Sequence, residues 1–528
     1  MATAARCFLV ALRLKYKGWY DAVSMALYVL IVYGLGLWLG PLGRDHARLA
    51  EAAAPPDDAV ALSVEDLFLR MQVSVFGDWA PGYHLVNLAL LLGCMILLYF
   101  LVCVIVRGPF WLGTLAAVLF MANPATGSGV LHVTASDYLL PTFVGLAALL
   151  LWTFYRFRPR VWKACAAWIA LIGAVTLFRA AAFVWAPALL IELLLLPRER
   201  RSRTALSGLV ALGLLSAAHW LPAIIGDLHG IGDIVAPLYF LAYPLGFLPK
   251  TAKAFHDWPA LAWASGALGA LALALVLRRA NRRTIALGFA SALILRLAAT
   301  EQPIDLVHLS GMGQLLLPSA LFHLGLVALF LRTMDHPRWQ SAIVAGTTVL
   351  CIVYFTVQVH HVLMWRHADG IVRDVRARVE ALVEDGGGPA AICPDLRYMG
   401  GAPVCLSEAL THDTPFAKAL PIVPLLPIHH QYGAAYALAS WDRLGGVLIA
   451  EGTAPIALAP WPYTLAQEGA AVSINGGRAT LESAGPPIRI RLTADGSWPE
   501  SVIIPGSRSA DAGTPAVCSS RAASVESP

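Results

Sequence analysis

The chain has 528 residues, of which 58% are hydrophobic and only 13% are charged. This composition excludes a soluble globular domain and predicts a polytopic membrane protein, because each membrane-spanning helix needs about 20 apolar residues. The net charge of +5 comes from Lys and Arg on alternate loops. That pattern sets membrane orientation, and it does not indicate nucleic acid as a partner.

Eleven apolar runs precede residue 366, which predicts an all-α bundle of about 11 transmembrane helices in a lipid bilayer. The first run, residues 22–40, is expected to stay as a span because no clear small-residue cleavage site follows it. The loops rich in Lys and Arg are assigned to the cytoplasm. With a cytoplasmic N-terminus, eleven crossings place the C-terminus outside, and we expect the inner membrane of a bacterial-like cell.

The loop after the first span, residues 41–81, is the most acidic stretch before the C-terminal region. It contains Asp45 and the adjacent pair Asp57 and Asp58. Within it, residues 62–75 repeat apolar side chains near helical spacing, which predicts an amphipathic segment along the membrane surface. The alternative without a function is a solvated outer loop whose charges reflect only the orientation of the protein in the membrane.

Three hydrophobic passes follow this loop and turn at two short polar breaks. The turns predict that Asp78, His132 and Asp137 gather at the outer face. Further along the chain, Arg179 alone separates predicted spans five (161–178) and six (180–196). This position predicts a single cation at the outer face.

Two more polar residues are predicted near the outer face. Arg296 lies toward the outer end of the ninth apolar run, and His308 lies in the loop after it. A cation at mid-membrane costs about 2.5–3.5 kcal/mol on insertion scales, which makes Arg296 a functional candidate. Snorkelling to the surface is the alternative for Arg296, and a loop histidine satisfied by its surroundings is the alternative for His308.

The composition changes after residue 365. Residues 366–506 are predicted to form a small extracytoplasmic α/β domain, and residues 507–528 a disordered tail. Strands are predicted at 390–393, 446–450, 471–474 and 487–492. A disulfide between Cys393 and Cys405 and two free thiols both remain open.

The order of these features resembles the GT-C superfamily of integral membrane glycosyltransferases, and most nearly the transmembrane O-mannosyltransferase type, here without tetratricopeptide repeats. The resemblance is carried by Val75-Phe76-Gly77, by Gly82-Tyr83-His84-Leu85-Val86-Asn87, and by a short third span that ends in Asn123-Pro124. It covers roughly residues 20 to 365.

The resemblance implies transfer of a sugar from a polyprenyl-phosphate donor to an acceptor at the outer face, with a first-loop Asp as general base or metal ligand. Asp45 matches the position of the family's catalytic acid best, with Asp57 and Asp58 in reserve. The resemblance therefore leaves open whether a divalent metal ion is a cofactor.

For substrate binding, the resemblance implies a cation on the donor phosphate, for which Arg296 and Arg179 are the candidates. Asp137 matches the family's Asp at the mouth of span four when one gap is allowed. His132 and His308 complete the candidates for substrate binding.

The chain departs from the family in three places. Leu62-Ser63-Val64 replaces Arg-Pro-Leu, Ala180-Ala181 replaces Lys-Glu, and Gly313-Gln314-Leu315-Leu316-Leu317-Pro318 replaces Arg-Tyr-Leu-Tyr-Leu-Pro. These losses favour the alternative of a catalytically degenerate GT-C scaffold that binds a lipid or a partner membrane protein. A transporter is disfavoured because the sequence has no paired broken helices that indicate inverted repeats.

Overall fold

A computed structural model describes residues 21–55, 63–226, 283–298, 312–334, 337–386 and 402–420, together with short strands between 390 and 505. Helices dominate these residues. In chain order they are α1 (Asp21–Gly36), α2 (Asp45–Ala53), α3 (Val64–Phe76), α4 (Ala80–Val106), α5 (Trp111–Ala122), α6 (Pro124–Val130), α7 (Ser136–Phe157), α8 (Val161–Leu177), α9 (Trp185–Leu190), α10 (Arg203–Gly226), α11 (Arg283–Ala298), α12 (Leu316–Met334), α13 (Pro337–Gly386) and α14 (Leu406–Thr411).

Five helices of the described residues are long and apolar enough to cross a membrane, namely α4, α7, α10, α12 and α13. Four further apolar helices are shorter, namely α1, α5, α8 and α11. The chain is therefore mostly helical and has the apolar helices of a membrane protein. The predicted eighth span, between residues 259 and 278, lies outside the described residues.

The third predicted span is short, as the sequence indicates, and the sixth is divided. Helix α5 has 12 residues and covers about 18 Å. It stops at Asn123, whose backbone is extended, because the following Pro124 disfavours helical conformation in the residue before it. The predicted sixth span, residues 180–196, is divided into a 3-10 helix at Arg179–Ala181, helix α9 and a π-helical turn at Ile191–Leu195.

The predicted boundary at residue 365 falls inside one continuous helix. Helix α13 has 50 residues, which corresponds to about 75 Å of helix. Its only proline is its first residue, so nothing in the backbone chemistry stops the helix near Trp365. The apolar face that the sequence predicts over residues 372–382 therefore belongs to the same helix as the eleventh apolar run.

Arginines collect at the end of the bundle where α4 and α7 end, which we call the arginine-rich end. The guanidinium group of Arg107 lies 4.9 Å from the ring centroid of Phe157. Arg156 pairs with the buried Glu192 and donates to the carbonyl group of Arg200 at 2.9 Å. These arginines were predicted to share one side of the bundle, and their contacts bring them together.

The opposite end, where α4 and α7 begin, we call the first-loop end. There Asn87 of α4 donates from its amide nitrogen to the carbonyl groups of His132 and Val133, at 3.0 and 3.2 Å. The chain before α12 also reaches this end, because a Cβ on Gly313 would lie 2.3 Å from the ring of Tyr138.

Helices α11 and α12 cross at two glycines. A Cβ on Gly288 would lie 2.4 Å from the Cα of Gly325. The two backbones can approach this closely only because both positions are glycine. The rings of Phe289 and Phe322 lie 5.1 Å apart. The two helices therefore pack closely through these residues.

Short strands follow α13. They are β1 (Ala390–Cys393), β2 (Asp395–Met399), β3 (Ala402–Pro403), β4 (Ile422–Pro424), β5 (Pro427–His429), β6 (Leu438–Asp442), β7 (Ala470–Asn475), β8 (Arg478–Ser483), β9 (Arg489–Thr493) and β10 (Val502–Pro505). They pair in the orders β10-β1-β4, β3-β2-β5, β6-β9 and β7-β8.

Three of the four strands predicted here are confirmed. The predicted strand at 390–393 is β1, the one at 471–474 lies in β7, and the one at 487–492 overlaps β9. Strands β7 and β8 form an antiparallel hairpin in which Asn475 pairs with Arg478, as the Asn-Gly turn predicts. The predicted strand at 446–450 lies outside the described residues.

Candidate functional site

Asp45 lies in the first turn of α2 and is completely buried. Its carboxylate accepts hydrogen bonds from the backbone N–H groups of Leu42, Val133 and Thr134 at 3.2, 3.0 and 3.2 Å. The hydroxyl group of Thr134 donates to it at 2.6 Å, and Nδ1 of His132 lies 3.2 Å from Oδ1. Asp45 therefore fastens the first loop to residues 132–134 at the first-loop end.

The protonation of Asp45 follows from these donors. Burial by itself raises the pKa of the Asp45 carboxyl group, but the neighbouring His132 and the hydrogen bonds from Thr134 and Leu42 outweigh burial. The pKa of Asp45 therefore lies well below its usual value, and the group is a carboxylate at neutral pH. Because donors surround both of its oxygens, it has little capacity left to accept a proton from a substrate.

A second group of charges lies beside this carboxylate. Arg44 and Arg48 are four residues apart, so they project from the same face of α2. The Nε of Arg48 donates to Oδ2 of Asp137 at 3.1 Å, and Nη2 of Arg44 lies 3.7 Å from the same oxygen. Arg48 also pairs with Asp66 at 2.7 Å and with Glu51 at 3.1 Å. We call these five residues the charged cluster.

Local sequence places Asp66 in the charged cluster, and the contacts of the cluster shift the pKa values of its members. Asp66 is held in the first turn of α3 by a capping box, in which the hydroxyl group of Ser63 accepts from the backbone N–H of Asp66 while the Asp66 carboxylate accepts from the backbone N–H of Ser63. Asp137 on α7 and Asp66 on α3 raise the pKa of the Arg48 guanidinium group against the opposing effect of burial. Hydrogen bonds from Ser63 and Arg48 lower the pKa of Asp66 despite its partial burial.

Asp137 differs from Asp45 in having an oxygen to spare. Its side chain is only 9% exposed, and both arginines contact Oδ2. Among the described residues, the buried Oδ1 has no hydrogen-bond partner. Arg44 is 26% exposed, and its guanidinium group stacks on the ring of Tyr138 at 4.5 Å. A carboxylate oxygen and a partly exposed guanidinium group therefore lie together at the mouth of α7.

The Tyr-His-Leu-Val-Asn stretch holds the backbone beneath these charges. Tyr83 donates from its hydroxyl group to the carbonyl of Gly77 at 2.9 Å, and His84 donates from Nε2 to the carbonyl of Leu39 at 3.0 Å. Asn87 donates to residues 132 and 133, as described above. All three polar side chains bind backbone carbonyl groups, so they position the first loop and the 132–134 segment.

The segment 402–420 packs over the same end. A Cβ on Gly43 would lie 2.7 Å from Cβ of Pro403, and the positive φ of +57° at Gly43 independently favours glycine. Phe416 lies 5.8 Å from the ring of Tyr83. Arg376 of α13 donates to the carbonyl groups of Ala409, at 3.1 Å, and Lys418.

His46 lies under this segment and is buried. Burial lowers its pKa to about 4, and the charge of Asp45 opposes this effect. His412 and Arg376, which belong to the segment and to α13, lower the pKa further. His46 is therefore neutral at pH 7, in contrast to its neighbour Asp45, which is charged.

The remaining predicted site residues are not joined to the charged cluster by the described contacts. Arg179 starts a 3-10 helix whose Ala181 packs against Gly145, about 12 Å along α7 from Asp137. Arg296 lies two residues before the end of α11, and its side chain lies outside the described part of the protein. Asp57, Asp58 and His308 lie outside the described residues.

The described donors at the first-loop end do not fit a divalent metal ion. Within the described residues, no group of three or more His, Cys, Asp or Glu side chains is arranged to hold one. Both oxygens of Asp45 already accept hydrogen bonds, and two guanidinium groups contact Oδ2 of Asp137, so the positive charge beside this carboxylate would repel a second cation. The roles of the described residues are therefore derived without a metal ion.

Sequence reasoning missed Arg44, Arg48 and Asp66 as site residues. The signal for Arg44 and Arg48 was their spacing of four residues, which places two cations on one side of a helix in the loop that is predicted to meet Asp137. The signal for Asp66 was the Ser-x-x-Asp pattern, which is typical of a helix N-terminus.

The fold and the charged cluster define a mostly helical protein, with helices long and apolar enough to cross a membrane and with ionisable groups from separate helices at one end of the described bundle. In comparisons with the models of known protein families, with characterised proteins and with solved structures, nothing matches this chain.

Proposed function

We propose that the chain is a GT-C-type membrane glycosyltransferase that moves a sugar from a polyprenyl-phosphate donor to an acceptor at the first-loop end. The observation that carries the proposal is the unpartnered Oδ1 of Asp137 beside the partly exposed Arg44. A general base must lie within hydrogen-bond reach of the acceptor hydroxyl, and a lipid phosphate needs a cation near the bilayer surface. Asp137 and Arg44 are the described pair that offers both.

In the proposed reaction, Asp137 takes the proton of the acceptor hydroxyl group while the acceptor oxygen bonds to the anomeric carbon. The bond between that carbon and the phosphate oxygen breaks, and polyprenyl phosphate leaves with the electron pair. Arg44 stabilises the charge that develops on the phosphate, with Arg179 and Arg296 as further candidates. Asp45, the residue that the resemblance indicates as the catalytic acid, is assigned a positioning role because donors surround it.

The finer architecture belongs to the same proposal. It comprises eleven spans, a cytoplasmic arginine-rich end in an inner membrane, and a periplasmic α/β domain at residues 366–506. The gathering of Arg107, Arg156 and Arg200 supports this orientation, since cytoplasmic loops carry an excess of Lys and Arg. The packing of segment 402–420 on the first loop supports a C-terminal region on the outer side together with that loop.

The test measures release of polyprenyl phosphate from polyprenyl-phosphate mannose and polyprenyl-phosphate glucose by the full chain in lipid nanodiscs. Asp137→Asn should lower the rate by about 100-fold or more while the protein stays monodisperse, because general-base catalysis contributes about 10²–10⁴-fold. Glu51→Gln is the matched control, since Glu51 also pairs with Arg48 but is 66% exposed. Equal rates for the wild type and Asp137→Asn would refute the assignment.

The second candidate is a degenerate scaffold that binds the lipid without turnover. It is favoured by the pairing of Asp137 with two arginines, because both guanidinium groups already occupy Oδ2 and leave only the buried Oδ1 to act on a substrate. In that case both lipids bind to the wild type, the Arg44→Gln variant binds them more weakly, and no polyprenyl phosphate is released with any acceptor. Measured turnover that depends on Asp137 excludes it.

A further inference from the structure

Helix α13 has two unlike faces. Its outer face exposes apolar side chains, including Val349 at 59% and Ile352 at 60%, as expected for a helix against lipid. Its inner face carries Tyr354, Gln358 and Trp365, each of which is at most 1% exposed. These three residues lie at offsets of 0, 4 and 11, which keeps them on one side of a helix.

Polar atoms of this inner face have no hydrogen-bond partner in the described part of the protein. They are the hydroxyl group of Tyr354, both amide atoms of Gln358 and the indole nitrogen of Trp365. A buried polar atom without a partner costs about 1–3 kcal/mol, and more is at stake where lipid surrounds the bundle. Four such atoms on one helix face imply a ligand that satisfies them.

A fifth atom of the same kind faces this stripe from α12. Nδ1 of His323 lies 2.7 Å from the carbonyl oxygen of Ser319, and because a carbonyl can only accept, this nitrogen carries the proton. Nε2 of His323 is therefore an acceptor, and it is buried without a described partner. The rings of His323 and Tyr354 lie 6.5 Å apart. We call His323, Tyr354, Gln358 and Trp365 the polar seam.

The polar seam leads to the first-loop end. Along α13, Tyr354 and Gln358 are about 6 Å apart, and Gln358 and Trp365 are about 10 Å apart. The ring of Trp365 then meets the ring of His132 at 4.7 Å, and Nδ1 of His132 lies 3.2 Å from Asp45. The seam therefore connects the interior of the bundle to the carboxylate that fastens the first loop.

The chemistry of the seam selects its ligand. Its four side chains are neutral and offer both donors and acceptors, which fits neither a phosphate nor a metal ion. Gln358 lies directly against α6, because a Cβ on Gly127 would lie 1.9 Å from its amide nitrogen, so only a small molecule fits beside it. Buried water suits both conditions, since each such molecule makes about three hydrogen bonds to otherwise unsatisfied groups.

We propose that the polar seam binds a file of water molecules that reaches the His132 and Asp45 pair from inside the bundle. This file gives the pair a hydrated inner side, and a proton can reach His132 by that route without crossing the charged cluster. The inference is independent of the proposed glycosyl transfer, because it follows from the buried polar atoms of α12 and α13 alone.

Hydroxyl-radical footprinting of the full chain in nanodiscs tests the seam, because radicals generated from bound water modify the side chains that contact it. Tyr33 is the matched control for Tyr354. Both are 1% exposed, but the hydroxyl group of Tyr33 donates to the carbonyl of Met121 at 2.9 Å. Tyr354 should be modified several-fold faster than Tyr33. Equally slow modification of the two tyrosines would overturn the proposal.

A variant adds a second arm. Gln358→Leu removes the two central polar atoms, so it should lower modification of Tyr354 toward that of Tyr33 without lowering the melting temperature. Thr153→Val is its control, since the Thr153 hydroxyl donates to the carbonyl of Leu149 within α7, and it should leave Tyr354 unchanged. Unaltered modification of Tyr354 in Gln358→Leu would contradict a water file. If that variant does not fold, the comparison of Tyr354 with Tyr33 in the wild type still decides.

Discussion

Replacing Asp45 by asparagine tests whether this carboxylate fastens the first loop. The side chain keeps its size, but one of its oxygens becomes an NH₂ group. On the Oδ2 side, that group would face the N–H donors of Leu42 and Val133, and on the Oδ1 side it would face the N–H and hydroxyl groups of Thr134. In either orientation at least two hydrogen bonds to a charged acceptor are lost.

Each such bond contributes about 1.5–3 kcal/mol, so Asp45→Asn should cost about 3–6 kcal/mol. The assay is the apparent melting temperature of the purified full chain in nanodiscs, followed by size-exclusion chromatography after heating. Glu51→Gln is the control, because an exposed ion pair such as that of Glu51 with Arg48 contributes about 0–1 kcal/mol. If Asp45→Asn melts at the temperature of the wild type, this account of Asp45 is wrong. A variant that stays folded but loses turnover would return the catalytic role to Asp45.

Three further predictions concern other parts of the fold. The pKa of His46 is lowered from 6.5 to about 4 in the folded chain, so as the pH falls the unfolded chain takes up this proton before the folded chain does. The free energy of unfolding should therefore fall by about 3 kcal/mol between pH 6.5 and pH 4. His46→Gln should flatten this pH dependence of the melting temperature. Arg156→Met should cost about 3–5 kcal/mol because it leaves the fully buried Glu192 without its partner, and adding Glu192→Leu should recover much of that loss in the same melting assay. Gly43→Ala should detach segment 402–420, measured as faster proteolysis there, because its Cβ would meet Pro403 at 2.7 Å.

Each of these predictions has a control and a contradictory result. The lowered pKa of Asp45 keeps that carboxylate charged throughout pH 4 to 7, so an unchanged pH profile in His46→Gln would show that another group titrates. Arg158 is exposed on the same helix end, and a loss in Arg158→Met as large as that in Arg156→Met would exclude the buried pair as the cause. Gly77 also has a positive φ but an open surrounding, so Gly77→Ala should leave segment 402–420 protected; equal proteolysis of both variants would count against docking at Gly43.

Much of the bundle follows from hydrophobicity alone. Helices α4 and α10 begin and end within two residues of the apolar runs at 82–106 and 204–225 that predict them, and α7 begins one residue before Asp137, where the sequence predicts that a span opens. The convergence of Asp45 with His132 was also foreseeable, because two short breaks return the chain to one face. The interruption at Asn123 required only the rule for a residue before proline.

The division of roles between carboxylates was not readable in the sequence. Asp45 and Asp137 are both acidic residues beside apolar runs, and only the folded chain surrounds the first with donors and leaves Oδ1 of the second without one. The extension of α13 past residue 365 was missed for a different reason. Hydropathy registers the change from apolar to polar side chains, whereas the backbone has no proline there to end the helix.

The most direct measurement of the central claim is photo-crosslinking of the full chain in nanodiscs with a diazirine analogue of polyprenyl-phosphate mannose, followed by peptide mapping. Both ends of the bundle carry arginines, so phosphate attraction alone does not favour one of them. The account predicts labelled peptides from residues 44–48 and 132–138 and reduced labelling in Arg44→Gln. Labelling confined to the arginine-rich end, or labelling unaffected by Arg44→Gln, would contradict it.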